Sequence, residues 1–321
     1  MKSRALTSRA AVAAMATAAL TLAACGSSTS GSTGNNGPSL DRSAFNAVTG
    51  AAAAMKKLHS YDMTAHITMT GVSGPSASTI LGMLDGLTIN GASNGSLVAA
   101  NETFGGALNG AGIQIIMDLR HFTIYENLSS LMAAMGESSH LPGGKPWIAV
   151  SLGSSSSNFS VPSAASFTGM SALASSVTYE GSQVVNGIST TKYGIYVSQS
   201  KIAANFKQIF GSIGLGSVLG KTGLTVADLL KIFPDGEHSV DYVSADDHIV
   251  RSEITLPLGQ MMALMKTAGA SGLGNAVMDE TVDFSNFDGP VSLGVPPASE
   301  VYTLPLSALG SGGLGSTLIG G

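Results

Sequence analysis

The chain has 321 residues, of which 44% are hydrophobic and only 11% charged, with 20 acidic against 15 basic side chains and a formal net charge of −5. An acidic balance of this kind excludes a nucleic-acid partner and an electrostatic grip on anionic headgroups, because both need clustered cations. The single cysteine, Cys25, cannot build a disulfide framework, so stability has to come from a hydrophobic core.

In chain order, the first predicted element is a leader. Lys2, Arg4 and Arg9 precede an uncharged Ala-rich stretch from Ala10 to Ala24, shorter than the roughly 20 residues a bilayer-spanning helix needs. This is the layout of a secretory signal peptide. It closes on Leu22-Ala23-Ala24-Cys25, which resembles a bacterial lipobox, where the cysteine thiol receives a diacylglycerol and becomes the new N-terminus. The plainer reading is a secreted protein with an unpaired thiol. Lipidation instead consumes that thiol, and two or three acyl chains, at roughly 0.8 kcal/mol per buried methylene, make a durable anchor. The expected organisation is a leader over 1–24, lipidated Cys25 with a Gly/Ser/Thr/Asn tether over 25–39, one domain over 40–304 and a Gly-rich tail over 305–321. Removing the leader leaves 12 basic against 20 acidic residues, a net −8. The expected location is the extracytoplasmic face of the plasma membrane, held by the anchor on Cys25.

Asp41 is placed to cap a helix running through Ala44, Phe45, Val48 and Met55 to Leu58. Tyr61 to Thr70 alternates as a half-buried strand, with Tyr61, Met63, Ala65, Ile67 and Met69 on one face. An apolar stretch with Met83, Leu84 and Leu87 follows, then strand-like runs at Ser96–Thr103, Ile113–Leu119 and His121–Tyr125. A helical piece over Leu128–Met135 leads to a Pro/Gly turn and a short strand with Trp147. Pro162 opens a helix through Phe167, Met170, Leu173 and Ala174. Strands at Val177–Glu180 and Thr190–Val197 bracket the turn signal Asn186-Gly187. Lys201–Ile213 and Val226–Phe233 read as helices. Ser239–Val243 and Ile249–Leu256 form a hairpin, Leu258–Lys266 a Met-bearing helix, and Ala276–Phe284 a last strand. These runs make an α+β protein of about nine to eleven strands, with spacings that favour antiparallel meanders over parallel crossovers.

The motifs that could carry catalysis dissolve in context. Gly91-Ala92-Ser93-Asn94-Gly95 matches a nucleophile elbow, but its flanks are two strand-like runs, which makes it a turn. Gly216–Thr222 lacks the first glycine of a P-loop, since Leu215 stands there. Gly310–Gly315 has the composition of a dinucleotide fingerprint without a βαβ unit after it. The histidines His59, His66, His121, His140, His238 and His248 have no metal-ligand spacing. Asp246, Asp247 and His248 fit a solvated hairpin turn better than a carboxylate-histidine pair. Asp279, Glu280 and Asp283 fall on both faces of one strand. No enzyme, metal or cofactor is expected from these residues.

Soft hydrophobicity remains. Met63, Met69, Met117, Met261, Met262 and Met265 suit adaptable apolar surfaces, and they suit a filled core equally well. Strand alternation singles out Ile67, Met69, Ile115, Met117, Ile195 and Ile254 as candidates for lining an apolar cavity.

Taken as a series, several segments resemble the actinobacterial LppX/LprAFG-type lipoprotein family, with its LolA-like fold. The series runs from the lipobox and first helix to Ser60-Tyr61 and Trp147. It continues through Tyr179-Glu180-Gly181, Val185-Asn186-Gly187 and Thr191-Lys192-Tyr193. Val240-Asp241-Tyr242-Val243 with Ile249-Val250-Arg251, then Phe287-Asp288-Gly289-Pro290 and Pro296-Pro297, complete it. Tyr242 stands where the family often has tryptophan. The resemblance implies a strongly curved antiparallel sheet, an incomplete β-barrel, with helices covering an apolar cavity. It also implies an acylated lipid or glycolipid as ligand, transfer of that lipid in the cell envelope, and a membrane transporter as a further partner. A ligand-free surface lipoprotein acting as an interaction or scaffold module is the alternative, and an enzyme comes third.

Overall fold

The computed structural model describes residues 41–71, 85–108, 110–134, 136, 142–151, 171, 173–205, 226–264 and 275–304. The leader, Cys25, the tether and the tail lie outside the described residues. So do Gly216–Thr222, Gly310–Gly315, Met83, Leu84, Met265, most of the Pro162 helix and the second half of the Lys201–Ile213 helix.

The first helix, α1 (Arg42–Met55), starts where Asp41 predicts, because the Asp41 carboxylate accepts from the amides of Ser43 (3.0 Å) and Ala44 (3.1 Å). Its buried stripe is Ala44, Val48, Ala51, Ala52 and Met55, the spacing of one helical face. Asp41→Ala is expected to cost about 1 kcal/mol, read as a lower denaturation midpoint with an unchanged slope.

Twelve strands follow: β1 (Tyr61–Thr70), β2 (Leu87–Ser93), β3 (Leu97–Thr103), β4 (Gly112–Asp118), β5 (Thr123–Asn127), β6 (Trp147–Ser151), β7 (Ser176–Val185), β8 (Ile188–Val197), β9 (Glu237–Ser244), β10 (Ile249–Leu256), β11 (Val277–Ser285) and β12 (Val301–Leu304). They form one sheet in the order β12-β6-β5-β4-β3-β2-β1-β11-β10-β9-β8-β7. Two meanders, β1 to β6 and β7 to β11, are joined where β1 pairs with β11. All neighbours are antiparallel except β12 with β6. The sheet is open, with β12 and β7 as its edges.

The strand count exceeds the nine to eleven expected from sequence, and the surplus is β2 and β12. Gly91 interrupts the apolar pattern of β2, yet its missing side chain is what lets Met63 lie across it, since a Cβ there would stand 2.8 Å from Met63 Cγ. β12 has four residues after Pro296-Pro297 and exists only by its parallel register with Trp147–Val150. At the β7–β8 turn the Asn-Gly signal holds: Asn186 (φ 51°) and Gly187 (φ 80°) both take the left-handed conformation of a type I′ hairpin.

The helices are α1, α2 (Ser129–Ala134), α3 (Gln199–Ala204), α4 (Val226–Ile232) and α5 (Leu258–Leu264) among the described residues. α1 packs against β7, β9 and β10, α2 against β4 and α5 against β11, while α4 touches α3 and α5. A single large core cluster joins the α1 stripe to residues of both meanders, including Ile67, Ile89, Ile115, Ile195, Val282 and Phe284. We call the sheet face that meets this core the inner face.

Candidate functional site: the inner face of the sheet

Because strand side chains alternate in direction, the pairing register defines rows that run across the inner face. One row reads Leu87, Ile67, Glu280, Ile254, Ser239, Ile195 and Val177, from β2 to β7. The next reads Ile113, Glu102, Ile89, Ala65, Val282, Ser252, Asp241 and Tyr193. Ile67 and Ile195 are buried to 1% exposure and Ile115 to 5%. Met69, Met117 and Ile254 are half-buried and pack against the same cluster.

All six sequence candidates therefore share one face, but they form two groups. Ile67, Ile254 and Ile195 share a row and Met69 borders it, whereas Ile115 and Met117 lie on β4, with β2 and β3 between them and β1.

The inner face also carries carboxyl groups that sequence reading either set aside, as with Glu280, or did not weigh as site residues. Glu102 on β3, Glu237 and Asp241 on β9, and Glu280 on β11 are all buried. Burial pushes Glu102 and Glu237 up to about 8, and the nearby charge of Glu126 adds to the shift of Glu102. Burial raises Glu280 to about 7. Asp241 also rises to about 7 through burial, opposed by hydrogen bonds that Ser171 Oγ and Ser252 Oγ donate to it. Glu126 on β5 is likewise raised by burial. Near neutral pH much of this set is protonated, so the inner face keeps little charge.

The signal for Glu237 and Asp241 was present in their parity with Val243 on β9. For Glu102 it was parity with Val98 and Ala100. A polar residue in such a run reads as solvent-facing until the register of its neighbours is known.

The opposite, outer face carries paired polar groups and a small apolar cluster of Val185, Tyr242 and Val250, with Val240 and Phe287 packed against it. Arg251 donates to both oxygens of Asp283 (2.7 and 2.8 Å), Lys192 pairs with Glu180 at 3.0 Å, and the Tyr242 hydroxyl donates to Glu253 at 3.1 Å. Thr64 donates to Asn90, and Asn127 to Gln114. A groove of about 390 Å³ is lined by outward side chains including Glu180, His238, Val240, Glu253, Thr255 and Asp279, together with the strand segments at Ile195 and Ile254. By pleat alternation it opens on the outer face.

The other sequence motifs take structural places. Gly91 to Ser93 belong to β2, so the expected turn is confined to Asn94-Gly95, where Asn94 Oδ1 accepts from the amides of Ser96 and Leu97. His66 Nδ1 lies 3.2 Å from Thr88 Oγ1 on the exposed outer face. His248 stacks on Phe287 with ring centroids 4.5 Å apart. Among the described residues no group of three or more His, Cys, Asp or Glu side chains is placed to hold a metal ion. Nor is any helix among them long and apolar enough to cross a membrane.

No family model matches the chain, and no curated protein matches it. Among solved structures, the chain is similar to a DUF1329 family protein from Desulfovibrio piger, at 11% identity over 79% of this chain and 94% of that one, with a TM-score of 0.24. It is also similar to LprF from Mycobacterium bovis, at 13% identity over 81% of this chain and 100% of that one, TM-score 0.42. A third similar structure is the lipoprotein LppX of Mycobacterium tuberculosis, at 16% identity over 79% of this chain and 100% of that one, TM-score 0.41.

Proposed function

We propose that this chain is a bacterial lipoprotein, held by a diacylglyceryl anchor on Cys25 at the extracytoplasmic face of the plasma membrane, whose inner sheet face binds acylated lipids or glycolipids. In this reading the sheet curves around an apolar cavity covered by the helices, with Ile67, Met69, Ile115, Met117, Ile195 and Ile254 along its wall. The protein then transfers lipid within the envelope, with a membrane transporter as donor or acceptor partner. The observation that carries the proposal is the continuity of the apolar inner face, which spans both meanders of an open sheet. Each methylene moved from water onto such a surface gains about 0.8 kcal/mol, enough in sum to hold an acyl chain outside a bilayer. The lipobox supplies the address, and the sequence resemblance to LppX/LprAFG-type lipoproteins points the same way.

A second reading, a ligand-free surface module, draws support from the near-complete burial of Ala65, Ile67 and Ile195, because side chains this enclosed already touch protein. One experiment separates the two. The full chain and its Cys25→Ser variant are purified from a bacterial host, and the denatured material is analysed by mass spectrometry. Acyl lipid released from both proteins, and membrane attachment lost only in Cys25→Ser, is the expected result. Release of no lipid by either protein would establish the ligand-free module, and unchanged attachment of Cys25→Ser would remove the anchor from the proposal.

A further inference from the structure

Six buried side-chain polar atoms among the described residues have no hydrogen-bond partner: Tyr61 Oη, both oxygens of Glu102, both oxygens of Glu237, and Ser239 Oγ. All of them belong to inner-face residues, by the register of β1, β3 and β9. Buried polar groups are nearly always paired, and an unpaired one forgoes about 1 to 3 kcal/mol. The same strand shows the alternative. Two residues beyond Ser239, Asp241 is as deeply buried, yet it receives hydrogen bonds from Ser171 and Ser252. The fold thus satisfies one carboxyl of the β9 stripe and leaves Glu237 and Ser239 open.

Their surroundings limit what could complete them. Ser239 sits between Ile195 and Ile254 in the row that continues to Glu280 and Ile67. Apolar and oxygen-bearing side chains therefore alternate across five strands, four spacings or about 19 Å at 4.8 Å each. Burial acts on Glu237 and Glu280, and among the described residues no cationic side chain contributes to either shift. A protonated carboxyl donates to an ester carbonyl or exchanges hydrogen bonds with a hydroxyl. An ionised one repels phosphate. Neither state supplies a positive charge, so an anionic headgroup would lose its hydration here without compensation.

We infer that Glu237 and Ser239 on β9, with Glu280 across Ile254 on β11, form a polar subsite that hydrogen-bonds the uncharged hydroxyl or carbonyl oxygens of an acyl lipid and rejects a phosphate group. The inference rests on the lipid-binding reading and narrows it to a ligand class. Methylenes lie on Ile67, Ile254 and Ile195, while the lipid's oxygens meet Ser239 and the two carboxyls.

The test uses a matched pair of probes, dioleoylglycerol and dioleoyl phosphatidic acid, which share acyl chains and differ by hydroxyl against phosphate. Each is offered in detergent to the purified full chain, and bound lipid is counted by native mass spectrometry. About a tenfold preference for dioleoylglycerol is expected, the equivalent of one well-made hydrogen bond. Glu237→Leu with Ser239→Ala should abolish that preference while leaving acyl-chain binding in place. Glu237→Gln, which keeps hydrogen-bonding capacity and size, should retain it and confirms that the fold tolerates the site. Equal occupancy by the two lipids in the unaltered chain would overturn the subsite alone. A preference that persists in the double variant would also overturn it, leaving Glu237 and Ser239 to ordered water. Binding of neither lipid would overturn the lipid-binding reading and the subsite together.

Discussion

Thermal stability is expected to be greatest near pH 4 and to fall continuously as the pH rises to 8. The cause is the set of buried inner-face carboxyls, Glu102 and Glu237 at about 8 and Asp241 and Glu280 at about 7. In the unfolded chain these groups ionise near 4. Between that value and their folded values the native state holds protons that the unfolded state has released, so the native state loses stability relative to the unfolded one with every unit of pH. Stability is therefore fully present below about pH 4, is lost through the interval, and levels off above pH 8. Each carboxyl contributes roughly 1.4 kcal/mol per pH unit over which only the folded form stays protonated.

Asp118 and Asp288 act in the opposite sense. Hydrogen bonds at Asp118, from His121 and the Arg120 amide, and at Asp288, from the His59 amide, hold these carboxyls below their usual range, so their contribution is lost only as the pH falls through that lower range. The maximum thus sits between the two sets. Thermal melts from about pH 3 to 9 should show it, and Glu102→Gln with Glu237→Gln should flatten the alkaline limb and raise the melting temperature at pH 8. A profile that is level or rising between pH 5 and 8 would show that these carboxyls are solvated in the native protein.

The second large effect is at the seam between the meanders. Phe284→Ala is expected to destabilise the fold by about 3 to 5 kcal/mol, a large part of the 5 to 15 kcal/mol typical of a domain. Phe284 is 1% exposed, pairs with Met63 across the β1–β11 ladder, and meets the Tyr61 ring edge-on at 6.3 Å between centroids. Its removal leaves a cavity where residues more than 200 positions apart in sequence must stay in register, and little local structure can collapse into the space. Chemical denaturation gives the value directly. The contrast is Tyr179→Ala, on the exposed β7 edge at 56% exposure, where the loss should stay below about 1 kcal/mol. Equal losses at the two positions would mean that the β1–β11 seam is not the joint of this sheet.

Several elements were legible because their causes are local. The alternation from Tyr61 to Thr70 is β1 residue for residue, since period-2 patterning needs only the strand itself. Asp41 marks the start of α1 because a side chain two and three residues from its partner amides depends on nothing else. Asn186-Gly187 marks the β7–β8 turn because those two residues most readily accept positive φ in succession. β2 stood only as a strand-like flank because Gly91 looks like a breaker in isolation and becomes a packing site only when Met63 of the neighbouring strand lies over it. β12 escaped because its stabilising partner, β6, stands about 150 residues earlier.

The candidate site divides along the same line. The side-chain sequence alone determined which residues of each strand share a face and the acidic, cysteine-poor character of the chain. Only the tertiary structure decided that β1 pairs with β11. That pairing puts Ile67, Glu280, Ile254, Ser239 and Ile195 in one row. The tertiary structure also turns Glu102, Glu237 and Asp241 from apparent surface residues into buried ones. Face parity follows from the geometry of a single strand, whereas burial and the pKa of a carboxyl depend on what long-range register lays across it, and no local pattern carries that information.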